Sequence, residues 1–364
     1  MSAIHRRFVN SCADTSVRDA PIRPRRRFRA LMRREPAVWL ALLLGVATLL
    51  AAQAGAVDVH WVDWLHPSAA SSGAYVLWDI RLPRALFAAL VGAALGLSGA
   101  LTQGLFRNPL ADPGLLGVTT GAAMFAALGI VFLAELGLAF PPALRLWLLP
   151  AAAFAGALAV VFVLDRVARW LTPGSIAGLL LTGVALNALA GSVIGLATYA
   201  ATDEQLRSLS FWTLGSLAGA NWTLVGLLTA LLLLGLWWVR KLLQAMNALA
   251  LGEAVAVHLG VDVNALRGRV IVAVALLSGF TVAWTGVIGF IGLMAPNLVR
   301  LLIGPDQRQV APLSALTGAI LLTVADTLAR TVLIPAEIPV GIFTALLGGP
   351  FFLLLLRPGL GRVE

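Results

Sequence analysis

The sequence predicts an all-α polytopic membrane protein with ten transmembrane helices per subunit, on three observations. Hydrophobic residues make up 60% of the chain and charged ones 12%, with a mean hydropathy of +0.92, far outside the range of soluble globular domains. Apolar runs of about 20 residues, the length a helix needs to cross the hydrocarbon core, recur along nearly the whole chain, without the alternating polarity that a spanning barrel requires. The cations are lopsided: of 26 lysines and arginines, all but Arg81, Arg84, Arg145, Arg207 and Arg330 fall on the side of the N-terminus once ten spans are drawn. Acidic residues split almost evenly, so the bias is the one that places both termini in the cytoplasm.

The spans lie near 37–57, 85–106, 115–134, 144–164, 176–201, 222–239, 270–288, 290–303, 309–330 and 338–356. Residues 1–36 precede them, with ten arginines against Asp14, Asp19 and Glu35. The first apolar run starts only at Ala37 and is long enough to span, which argues for a disordered cytoplasmic tail rather than a signal or transit peptide. Residues 358–364 form a short cytoplasmic end. Cys12 is the single cysteine, so neither an intramolecular disulfide nor a cysteine metal cage is available. Val270 to Val299 carries no charge; a single crossing there would send Arg300 and Arg308 outside, so the charge bias divides it into two spans. The net charge of +9 is then an orientation signal and a contact for membrane lipid, and needs no nucleic acid.

Five stretches carry more than hydrophobicity. Arg81 and Arg84 flank Pro83 at the foot of the second span, as interfacial anchors or as a docking site for an acidic partner. Within that span Gly92, Ala93, Gly96, Ser98 and Gly99 let a neighbouring backbone approach closely, and Asn108, Pro109, Asp112, Pro113 and Gly114 force a turn after it. Thr202 to Trp222 suits either a short helix dipping into a cavity mouth or an interfacial aromatic belt. In the insert Leu249–Arg269, Gly252 to Gly260 reads as a two-turn helix that Gly260 stops in the left-handed conformation. Ala254, Val255, Ala256, Val257 and Leu259 leave this knob apolar nearly all round, which argues for burial against another protein. Gly286, Gly289, Gly292 and Pro296 break regular helix, as tolerated where backbone is buried or lines a cavity. Asp326 and Arg330 can pair four residues apart, as can Arg330 and Glu337 across the turn.

Several chemistries are missing. Lys241 is the only lysine and no GxxxxGK[ST] loop surrounds it, so nucleotide binding of the P-loop kind is excluded. No nucleophile elbow, HExxH or CxxCH occurs, and His5, His60, His66 and His258 all lie outside the spans. No catalytic residue and no metal ligand set is expected.

In this order, RLPR (81–84), FRNPLADPGLLG (106–117), LGEAVAVHLG (251–260), GFIGLMAPNLVR (289–300) and EIPVGIFTALLGGPFF (337–352) resemble the permease subunits of ABC importers for iron chelates, haem and cobalamin. The resemblance covers about 37–357. It implies the type II ABC importer architecture: a homodimer around a central path in the bacterial inner membrane, two copies of an ABC ATPase subunit below and a periplasmic substrate-binding protein above. ATP and Mg would be bound by the ATPase, with no cofactor on this chain and no enzyme activity of its own. It implies that Leu251, Gly252, Glu253, Val255, Ala256, Leu259 and Gly260 form the ATPase-coupling helix. Arg81, Arg84 and Arg330 would face acidic residues of the binding protein. Asn108, Leu110, Ile176, Ala177, Asn187 and Tyr199 would line the path and its gate. Where related permeases carry polar residues at the start of the fifth span, this chain has Ile176 and Ala177. The wording of 202–222 is most similar to haem permeases, which makes haem the expected cargo ahead of a ferric siderophore or cobalamin. An ion-gradient transporter would want carboxylates near mid-bilayer, whereas Glu135, Asp165 and Asp326 fall near span ends. A scaffold that only anchors an ATPase would leave the glycine-broken spans unexplained.

Overall fold

The buried axis of the protein is a helix, α3 (Ser72–Phe106), of whose apolar window 89% is enclosed by other elements. The computed structural model describes residues 35–65, 71–132, 141–334 and 336–355. The basic tail with His5 and Cys12, the end 358–364, His66 and Glu135 lie outside the described residues. The described residues from Ala37 onwards form one compact unit.

In chain order the helices are α1 (Pro36–Gln53), the single turn α2 (Trp61–Leu65), α3, α4 (Val118–Phe132), α5 (Pro142–Leu171), α6 (Ile176–Ala200) and α7 (Asp203–Leu214). There follow α8 (Trp222–Arg240), α9 (Leu243–Ala250), α10 (Glu253–His258), α11 (Val263–Thr285), α12 (Ile291–Ile303), α13 (Gln307–Thr331) and α14 (Val340–Leu355). Seven of them are long and apolar enough to cross a membrane, and α4, α12 and α14 are shorter apolar helices. Together these ten coincide with the ten expected spans.

Glycine decides how α3 is enclosed. A Cβ at Gly92 would overlap the Gly318 carbonyl, one at Gly96 the Ser314 carbonyl and one at Gly99 the Gly292 carbonyl, so α13 and α12 lie against α3 backbone to backbone. Gly121 of α4 and Gly156 of α5 meet in the same way. The result is a group of α3, α8, α11, α12 and α13 beside a group of α4, α5 and α6, with α11 packed on both.

Boundaries differ from expectation at three places, one of them the end of α5, which runs on to Leu171 beyond the expected 164. α3 begins well before residue 85 because Val76–Arg81 is π-helical: the Leu82 N–H bonds to the Leu77 carbonyl, a wider turn that carries the chain into Pro83, which has no N–H to donate. α11 begins at Val263, so Arg267 and Arg269 belong to a helix instead of a loop. The expected interruption is present at 286–290, where Gly286 (φ +69°) and Phe290 (φ +67°) are left-handed. Gly292 and Pro296, expected to break helix as well, lie inside α12; Gly292 serves instead as the seat for Gly99.

Candidate functional site

The knob is α10 with its flanks. Gly252 enters it at φ +122° and Gly260 leaves it at φ +80°, and the helix ends in a Schellman motif: the Gly260 N–H bonds to the Val257 carbonyl at 2.9 Å and the Val261 N–H to the Ala256 carbonyl at 3.0 Å. Ala256 is fully buried and anchors the turn, while Leu251 (70% exposed), Val255 (42%), Val257 (59%) and Leu259 (63%) face outwards. Four displayed apolar side chains on a stiffly ended helix form a plug, not a solvated surface. Glu253 pairs with Arg267 of α11 at 3.0 Å. The preceding helix α9 was not legible in the sequence; it buries Leu243, Met246 and Leu249 and is tied to α13 through Asn247, whose amide donates to Asp306 at 2.6 Å.

At the same end of the bundle, the turn after α3 is held from several sides. Arg107 is left-handed (φ +50°). Asn108 is exposed, and its side-chain oxygen accepts the Leu110 N–H at 2.9 Å. Leu110 is partly exposed. The Asn297 amide of α12 donates to the Pro109 carbonyl at 2.9 Å, and Arg300 donates to Gln103. Asp112 accepts the Gly114 N–H at 2.7 Å, and burial pushes its carboxyl above the usual carboxylate range despite that bond.

The helix α6 starts at Ser175, whose hydroxyl accepts the Gly178 N–H at 3.0 Å. One of its faces has no partner among the described residues: Ala177, Leu181, Val184, Ala188, Gly195 and Tyr199 are exposed, Tyr199 to 92%. Ile176 instead packs partly buried against the core. Asn187 also departs from the expected path lining: it turns inwards, donating to the Gly114 carbonyl at 3.2 Å and accepting from Thr120. It therefore ties α6 to the turn beyond Asn108. At the far end of α6, Thr202 and Gln205 form a capping box at the start of α7. The Ser216 N–H then bonds to the Thr285 carbonyl at 2.7 Å, which fixes the segment after α7 against the broken end of α11.

The three arginines expected to face the binding protein are engaged inside the chain. Arg81 is 4% exposed and donates to the carbonyls of Ala52, Gln53 and Val57, the last two at 2.7 and 2.5 Å. Arg330 donates to Ala51 and, at 2.7 Å, to Ala54. Ala51, Ala52 and Gln53 carry the last carbonyls of α1 and Ala54 and Val57 lie in the segment that follows, so the two guanidiniums cap the helix end and hold the chain leaving it. Arg84 grips Asp326 at 2.9 Å and Glu337 at 2.9 Å. The expected Asp326–Arg330 pair is present but long, at 3.6 Å. Glu337, expected to reach Arg330, pairs with Arg84 and is about half exposed. Among the described residues no group of three His, Cys, Asp or Glu could hold a metal ion.

The FecCD transport family matches residues 42–358. The hemin transport system permease protein HmuU of Yersinia pestis is 45% identical over 322 residues, which cover 87% of this chain and 94% of that protein. The vitamin B12 import system permease protein BtuC of Salmonella arizonae is 43% identical over 317 residues, 87% of this chain and 92% of its own. A solved structure described as an inward-facing conformation of a metal-chelate type ABC transporter superposes with a TM-score of 0.75 at 33% identity, over 88% of this chain and 97% of that one. PsaBC from Streptococcus pneumoniae shares the fold, with a TM-score of 0.51 at 18% identity over 78% of this chain and 94% of its own.

Proposed function

The chain belongs to the FecCD transport family, and from that premise we propose that it is the permease of an importer that carries haem inwards by alternating access. Two copies enclose a central path between their unpartnered α6 faces. The knob side is cytoplasmic and seats an ABC ATPase subunit, which alone binds ATP and Mg. The opposite side receives a periplasmic binding protein, and the assembly sits in the inner membrane with both termini in the cytoplasm. Permeases of this family work with such ATPase and binding-protein partners, and are not themselves catalytic.

The observation that carries the reading is the plug of Leu251, Val255, Val257 and Leu259. ATP can drive a conformational cycle in the permease only through contacts that differ between its states, and an apolar knob on a stiff end is a surface that a closing partner can grip. Haem is favoured over a ferric siderophore and cobalamin by the wording of 202–222 and by the hemin permease among the relatives. The small and apolar residues exposed on α6 suit a bulky planar cargo that must be released without tight capture. A gradient-driven transporter is disfavoured because Asp165 and Asp326 are neutralised by Arg169 and Arg84.

Docking on the far side falls to Arg84 on this reading. An incoming carboxylate has to exchange with the half-exposed Glu337, since Arg81 and Arg330 are committed to α1. Uptake into proteoliposomes that contain the permease, its ATPase and the binding protein, with haem, a ferric siderophore and cobalamin offered in turn, tests the proposal. ATP-dependent accumulation of haem alone is the expected result. Accumulation of another cargo instead replaces haem, and uptake without ATP refutes the importer mechanism.

A further inference from the structure

Arg267 stands near the start of α11 and is 9% exposed, a cation hidden close to the polar end of a membrane helix. One of its nitrogens, Nη2, serves two acceptors: the Glu253 carboxylate at 3.0 Å and the Gly174 carbonyl at 3.2 Å. These acceptors belong to different parts of the machine. Glu253 opens α10, the knob. Gly174, left-handed at φ +78°, lies in the turn between α5 and α6, one residue before the Ser175 that caps α6.

The surroundings leave this turn free to follow. A Cβ built on Gly174 would meet nothing within 4 Å, and a cleft lined by Thr172, Ser175, Leu179 and Asn264 flanks it. Glu253 is more than a third exposed, so its end of the link moves with whatever grips the knob. A guanidinium is planar and always charged, and its bond to a carboxylate is about twice as strong as a neutral one.

We propose that Arg267 is a positioning residue that couples the knob to the foot of α6: a displacement of α10 passes through its guanidinium to the Gly174 turn, and from there to the exposed face of α6. The inference rests on the reading of α10 as the ATPase contact and of α6 as a wall of the path. It names the link between them, which neither surface shows alone.

The test is haem uptake per ATP hydrolysed by the full complex in proteoliposomes, alongside co-purification of the ATPase subunit. Arg267→Met should assemble and hydrolyse ATP at close to the normal rate, with haem moved per ATP at least tenfold lower. Arg267→Lys should recover part of the ratio, since an ammonium donates without the same reach to both acceptors. Arg267→Gln keeps a neutral donor that can reach only one of the two acceptors and leaves the knob surface unaltered, so it should accumulate and bind the ATPase yet stay uncoupled. If Arg267→Met fails to accumulate, Arg267→Gln decides. A normal ratio in either Arg267→Met or Arg267→Gln overturns the inference while leaving the importer reading intact. If the unaltered chain shows no ATP-driven uptake, the importer reading falls first and this link with it.

Discussion

Replacing Leu259 with aspartate should abolish transport while leaving the permease folded. Leu259 is 63% exposed in the free chain, and substitutions at such sites change stability by about 0.5 kcal/mol or less. Its place at the end of α10 adds at most about 1 kcal/mol of unfavourable interaction between the new charge and the helix C-terminus. Docking is affected far more. A socket that covers the exposed two-thirds of the leucine gains about 1–2 kcal/mol from it, which the variant loses. Burying an unpaired carboxylate in the same place costs several kcal/mol more. A total of about 4 kcal/mol per socket corresponds to roughly a thousandfold weaker engagement. Leu259→Ala, which loses only the apolar contribution, should weaken engagement about tenfold. Thermal unfolding of the purified permease, ATPase co-purification and uptake should be measured on the same preparations. The expected pattern is an unchanged melting temperature with loss of the other two. Full ATP-driven uptake by Leu259→Asp would refute the assignment of the knob.

The remaining predictions concern the other surfaces. Glu337→Gln removes the half-exposed one of the two carboxylates that hold Arg84 and should tighten binding-protein docking several-fold, whereas Arg84→Glu should weaken it in a salt-sensitive way; surface plasmon resonance at two ionic strengths reads both. Arg81→Met should lower the melting temperature without altering the salt dependence of docking, because it strips the donor from the carbonyls of Ala52, Gln53 and Val57 at about 1–3 kcal/mol for a buried acceptor left unpaired. Gly96→Leu should prevent accumulation of folded protein, since its side chain would have to occupy the place of the Ser314 carbonyl. Asp63 accepts the His60 N–H and the Ser71 hydroxyl, each at 2.8 Å, and these bonds hold its pKa below the ordinary 3.8. A lowered folded-state pKa means that its contribution is present above the unfolded value and lost as pH falls through the folded one. Tryptophan fluorescence of the 57–65 segment, carrying Trp61 and Trp64, should therefore change in that acid window, and Asp63→Asn should remove the transition.

Much of this protein is written in local sequence. The apolar runs mark out ten helical segments, seven of them long enough to cross a membrane, because hydrophobicity acts over about 20 residues at a time and needs no partner. The knob is equally local: Gly252 and Gly260 set its ends by their backbone freedom, and its exposed side chains are visible in the short stretch from Leu251 to Leu259. The small residues of α3 announce close packing, although not that Gly96 would meet Ser314 and Gly99 would meet Gly292.

Only the tertiary structure decided where the charges go. In the sequence Arg81, Arg84 and Arg330 look alike, three cations on one rim. Two of them cap α1, and for Arg330 the acceptor at Ala54 lies 276 residues away. A helix end must find donors for its last carbonyls wherever the fold brings them. Asn187 was placed in the path because it lies on α6, but a 3.6-residue repeat does not say which face is covered until α4 and the Gly114 turn are in position. Arg267 is the clearest case. In the sequence it is a loop cation near a second arginine; in the fold it joins the knob to the foot of α6, because the α5–α6 turn and the start of α10 meet beside α11 and bring both acceptors within reach of one guanidinium nitrogen.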